Sequence, residues 1–169
     1  METAADLDHG VAAVRRARNL RRAGIAALAA LIGAGVLGAF DPGEAAVSEA
    51  GGGFELEAEF PDRARGGLDS PLTISVTRPG GFDGPITLAV SRDWLDLFDQ
   101  SGIEPEPDAS TADGGRVIWE FESPPGGELE VSVEMALRPA VRTGGSGRVA
   151  LLDGDREIVA VEVKTSVVP

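Results

Sequence analysis

The stretch Glu128 to Leu137, ELEVSVEMAL, sets Leu129, Val131, Val133, Met135 and Leu137 against Glu128, Glu130, Ser132 and Glu134. A period of two residues is that of a β-strand, whose successive side chains point to opposite faces. One face of this strand is therefore buried and the other wet, the pattern of an antiparallel sheet with one side on a core. Working outward, the same alternation recurs. Phe54, Leu56, Ala58 and Phe60 alternate with Glu55, Glu57 and Glu59, and Leu72, Ile74 and Val76 alternate with Thr73, Ser75 and Thr77. Ile86, Leu88 and Val90 make a further inward set, as do Val117, Trp119 and Phe121. Residues 148–152 and 157–164 form the last pair, joined by Asp153-Gly154-Asp155-Arg156; an Asp-Gly step between strand patterns is a hairpin signal.

Turn residues separate these runs: Pro79-Gly80-Gly81, Pro124-Pro125-Gly126-Gly127 and Gly144-Gly145-Ser146-Gly147. About seven strands in residues 54–169 predict an all-β domain, an immunoglobulin-like β-sandwich. The cysteines of a true immunoglobulin domain are absent, so the likeness is to the architecture, with Trp119 expected in the core. A short helix is expected over 92–100, capped by Ser91, with Leu95 and Phe98 on one face. Residues 104–110 are read as an extended connector, and 41–53 (DPGEAAVSEAGGG) as a flexible linker.

The N-terminal part is of another kind. Residues 23–40, AGIAALAALIGAGVLGAF, carry no charge over 18 residues. At ~1.5 Å per residue they would make ~27 Å of helix, enough to cross a thin hydrocarbon core. Arg15, Arg16, Arg18, Arg21 and Arg22 precede the run and Asp41 and Glu44 follow it, which orients the N-terminus to the cytoplasm. The expectation is a single-pass signal anchor in the cell membrane, with residues 1–22 as a short cytoplasmic basic segment and the domain extracytoplasmic. A cleaved signal peptide and a buried soluble helix are the competing readings. The apolar core is long for a signal, and only a weak site, Ala45-Ala46, follows it. The residues after Arg15-Arg16 fit a twin-arginine signal poorly. Ala26, Ala30, Ala34 and Gly38 recur every fourth position as a ridge of small residues, a candidate face for packing a second transmembrane helix or a second copy.

Composition removes several chemistries. The 169 residues include no Cys and one His, His9. Thiol nucleophiles, zinc-thiolate centres and disulfides are excluded, and copper handling would have only Met135 in the outer domain. The net charge of −13 argues against nucleic-acid partners. Charge is also divided: residues 1–22 hold five bases against three acids, and residues 41–169 hold ten bases against 25 acids. Glu55, Glu57 and Glu59, like Glu128, Glu130 and Glu134, are spaced ~7 Å apart along their strands, so they do not converge on a cation without ligands from elsewhere. With few aromatic residues and no nucleophile constellation, no enzyme, metal or cofactor is expected. Trp94 and Leu97, within RDWLDLFDQ, are a candidate protein-docking patch if exposed; otherwise they cap one end of the sandwich.

The sequence therefore predicts a membrane-anchored accessory or interaction protein of the cell envelope, with the lipid bilayer and another membrane or envelope protein as partners. A cation- or glycan-binding sensor module, or a secreted β-domain released by signal cleavage, are the alternatives.

Overall fold

The computed structural model describes residues 43–168, which fall in one compact unit, Pro42–Pro169. The basic segment with its five arginines, the apolar run 23–40 and the small-residue ridge on it lie outside the described residues. Among the described residues no helix is long and apolar enough to cross a membrane.

The described residues form ten strands and one helical turn, in order: β1 (Gly43–Gly51), β2 (Phe54–Ala64), β3 (Leu72–Thr77), β4 (Ile86–Ser91), α1 (Arg92–Leu95), β5 (Phe98–Glu104), β6 (Ala109–Asp113), β7 (Arg116–Phe121), β8 (Glu128–Leu137), β9 (Gly145–Asp153) and β10 (Arg156–Val167). They form one curled sheet in the order β5-β8-β3-β2-β10-β9-β4-β7-β6, with β1 on β2. Every pairing is antiparallel except the join of β2 to β10, a short parallel contact at Arg63 with Ser166 and Ala64 with Val167. The join divides the curl into two layers, β5-β8-β3-β2-β1 (sheet A) and β10-β9-β4-β7-β6 (sheet B).

The alternation seen in the sequence places the core between the layers. Leu56, Ala58, Ile74, Val76, Val131 and Leu137 from sheet A, and Leu88, Val90, Val149, Leu151 and Val163 from sheet B, are buried in one cluster. Trp119 is buried there, 4% exposed, as expected of it. The turn at Gly154-Asp155 closes β9 onto β10, with Asp153 opposite Arg156 and Gly154 at a φ of 59°, a conformation that costs glycine little.

The all-β class is observed, with ten strands rather than about seven. The seven expected strands are all present. The three additional ones, β1, β5 and β6, lie at the margins of the sheet. Residues 43–51 are therefore not a flexible linker: β1 pairs along its whole length with β2, and Ala45 and Val47 pack against the core. Their alternation is short and built of small residues, which made the segment resemble a tether. The expected helix ends at Leu95, after which Phe98 begins β5 on Leu137 of β8. Ser91 stands at the helix N-cap without a side-chain capping bond; its Oγ accepts the N–H of Arg148 instead, at 2.9 Å. The connector expected at 104–110 contains a cis Glu104-Pro105 bond and passes into β6 at Ala109.

Candidate functional site

The expected docking patch does not form, because its main side chain is inside the protein. Trp94 is fully buried, 0% exposed, and Leu97 is half-buried against the core. Helix α1 is too short to hold Trp94 by its own backbone bonds, so tertiary contacts fix it. Its ring meets Phe60 edge-on at 6.3 Å and Phe98 at 5.2 Å between centroids. Its Nε1 donates to Oγ1 of Thr165 at 3.1 Å. The amphipathic RDWLDLF pattern thus closes one end of the sandwich, the role an indole takes where its N–H finds a buried partner.

Two features remain at the surface. The first is the outer face of sheet A. The registers align Glu55 with Thr77 and Glu128, Glu57 with Ser75 and Glu130, and Glu59 with Thr73 and Ser132. Two columns of exposed glutamates therefore flank a column of hydroxyls on β3, about 10 Å apart at two strand spacings. Glu104 and Glu134 continue the face toward β5. Strands β1, β3, β5 and β8 contain no Lys or Arg, and β2 has only Arg63 near its end.

Sheet B is different: Arg116, Arg148, Arg156 and Lys164 lie on its strands, and Arg148 pairs with Glu162 at 3.4 Å and Glu157 at 3.8 Å. Its outer side carries a row of apolar residues, Ala160, Ala150, Ala89 and Ile118, of which Ala150 and Ala89 are buried, ending at the exposed Thr111 on β6. The acidity is thus one-sided. Among the described residues no group of three or more His, Asp or Glu gathers in a metal-holding arrangement. The reason is geometric: the carboxylates lie along rods and across a spacer strand rather than around a point.

The second feature is a shallow cleft of about 430 Å³ at one end of the sandwich, lined by Phe54, Arg78, Phe82, Asp83, Leu152 and Ile158 among others. Phe54 and Phe82 stack at 6.4 Å and 15°. Arg78 lies 4.9 Å over the Phe54 ring and pairs with Asp83 at 2.6 Å. Its main chain accepts from Gly81 and donates to Gly127 at 2.8 Å. Arg78 is thus engaged by its own loops, and its evident work is to tie two turns to the start of β2. The sequence reading missed this group. Its signal was the pair Arg78 and Phe82 enclosing Pro79-Gly80-Gly81, a turn that returns both side chains to the same end.

No protein-family model and no curated protein matches the chain. Among solved structures it is similar to a cohesin module from a family 33 glycoside hydrolase of Clostridium perfringens, with 10% identity and a TM-score of 0.45, over 75% of this chain and 97% of that one. It is also similar to the major pilin subunit of Bacillus cereus, with 9% identity and a TM-score of 0.43, over 75% of this chain and 40% of the pilin. Likenesses this distant bring neither an activity nor a partner to this chain.

Proposed function

We propose that the chain is a single-pass membrane protein whose acidic, immunoglobulin-like domain stands outside the cell membrane and binds another membrane or envelope protein. The observation that carries the interaction role is the outer face of sheet A. Seven glutamates, Glu55, Glu57, Glu59, Glu104, Glu128, Glu130 and Glu134, share it with Thr73, Ser75 and Thr77 and with almost no base. A solubilising surface normally mixes both signs, as sheet B does. A flat face of one sign steers and orients a partner of the other sign. The partner fitted to this face is therefore a protein with a basic, hydrogen-bonding surface. The anchor reading is supported by the apolar run at 23–40 and the arginines before it.

Both parts are testable in cells. With a C-terminal tag, the full-length product is expected in the membrane fraction, its tag cut by protease added from outside. A shortened, soluble product would overturn the anchor. For the interaction, a photo-crosslinking residue at Ser75, between the glutamate columns, is expected to trap an envelope protein. That adduct is expected to be lost on E57Q/E130Q substitution. An adduct no stronger than one formed from Thr87 on sheet B would count against the acidic face.

A further inference from the structure

We infer that the free edge of β6 is a self-association site, pairing antiparallel with β6 of a second copy about a two-fold axis through Thr111. A strand at the end of a sheet presents unpaired main-chain groups, and proteins ordinarily blunt such edges with bulges, prolines, lysines or cover. The other margins here are treated in that way. Strand β5 is broken by a bulge between Gln100 and Gly102, and β1 packs beside β10, with Gly51 close against Ile158 and Val159. Strand β6, Ala-Ser-Thr-Ala-Asp, is short and begins just after a step where Asp108 and Ala109 both face Glu120, but among its five residues there is no internal bulge, proline or lysine. Among the described residues it pairs only with β7, in unbroken register from Ala109–Glu120 to Asp113–Arg116, and all five residues are exposed. Nothing larger than threonine or aspartate hinders a strand laid beside it.

The hairpin fixes which groups are free. The turn has two residues, Gly114 and Gly115, both at positive φ, so Asp113 and Arg116 form the hydrogen-bonded pair that closes it. Alternation then turns the N–H and C=O groups of Ser110 and Ala112 away from β7. These are the groups a second β6 needs. With Thr111 opposite Thr111 of the other copy, Ser110 faces Ala112 and Ala109 faces Asp113, and four main-chain hydrogen bonds close.

Charge within the strand does not forbid a second copy. No like charges stand opposite each other in this register, since each Asp113 meets an alanine. The threonine pair is a favourable cross-strand match. The row Ala160, Ala150, Ala89, Ile118 and Thr111 runs on across the axis into its two-fold copy. The acidic faces of sheet A belong to the other layer and do not meet. Five residues a side make a weak contact, so it operates where copies are concentrated, as on a shared surface.

The absence of native cysteine makes the register directly readable in the full chain. Under mild oxidation T111C is expected to form a disulfide dimer several-fold faster than E130C, placed on the acidic face. A109C mixed with D113C is expected to cross-link as a heterodimer, while A109C alone stays at the E130C rate. Adding A112P to T111C removes an outward N–H, a place where an edge strand tolerates proline, and should return the rate to that of E130C. Because the domain is strongly acidic, cross-linking of T111C is expected to quicken with added salt. Association through the N-terminal apolar run would speed all positions alike and leave these ratios at one. T111C no faster than E130C, no A109C–D113C heterodimer, or an A112P variant that still cross-links would each overturn the edge pairing. An edge that serves a strand of some other protein gives the first of these results.

Discussion

Trp94 and Thr165 are 71 residues apart in the chain and share one buried hydrogen bond, Nε1 to Oγ1 at 3.1 Å. Thr165 passes the connection on, its hydroxyl donating to the carbonyl of Pro61 at 2.6 Å. One hydroxyl thereby links α1, the end of β10 and the last part of β2, close to where the two layers join. Thr165 is 1% exposed and is one of two buried polar residues among those described. Its partners are all internal, so no water stands ready to replace it.

Substituting Thr165→Val keeps the shape and removes both bonds. A buried indole N–H and a buried carbonyl would then lack partners, which costs about 1–3 kcal/mol for each group left unsatisfied. The midpoint of denaturant unfolding is expected to fall accordingly, while Thr165→Ser, which retains the hydroxyl, is expected to restore most of the loss. A Val variant as stable as the parent would show that the link carries no stability.

Gly147 on β9 faces the same indole. A Cβ there would lie 2.5 Å from Cβ of Trp94 and 3.0 Å from Cβ of Ser91, both fixed to main chain rather than at the ends of flexible side chains. Gly147→Ala is therefore expected to destabilise by about 1–3 kcal/mol, the usual range for overpacking a core. Thermal unfolding measures it. Gly53→Ala has open space but a positive φ of 83°, so it is strained by conformation alone and makes a useful contrast.

At the opposite kind of site, Arg78 joins a ring contact to an ion pair with the exposed Asp83. Exposed pairs and surface cation–π contacts are each worth about 1 kcal/mol or less. Arg78→Gln is expected to lower stability by no more than that, with the difference from the parent shrinking as salt rises. The local effect should be larger than the global one: amide exchange at position 78, whose N–H donates to the Gly127 carbonyl, and at Gly81, whose N–H donates to the carbonyl of residue 78, is expected to quicken. Unchanged exchange there would show that the side chain does not hold the turns.

What was legible in the sequence and what was not follows a single physical line. The central strands declared themselves because each buries one face: Leu129 to Leu137, Leu72 to Val76 and Phe54 to Phe60 alternate since one face meets the core and the other meets water. The three strands that were not foreseen are marginal ones. Strand β6 has no buried residue at all, β5 is polar and bulged, and β1 offers only Ala45 and Val47. A strand held by main-chain bonds to one neighbour leaves little trace in its side chains, so only the register of that neighbour reveals it.

The surface divides in the same way. The alternating glutamates were readable as exposed, but their gathering on one layer depends on β8 pairing with β3 and β3 with β2 across long gaps in sequence. Trp94 is the converse. Its helical spacing beside Leu95 and Phe98 was visible, but whether it faced water or the core was decided by Thr165, Phe60 and Gly147, which the chain brings to it from distant strands. The sequence by itself determined the period of each buried strand and the sign of the charge, because both are local properties of side chains. Only the tertiary structure decided which edges stay open, which acids share a face and which aromatic ring is enclosed, because those depend on the pairing of strands far apart in the chain.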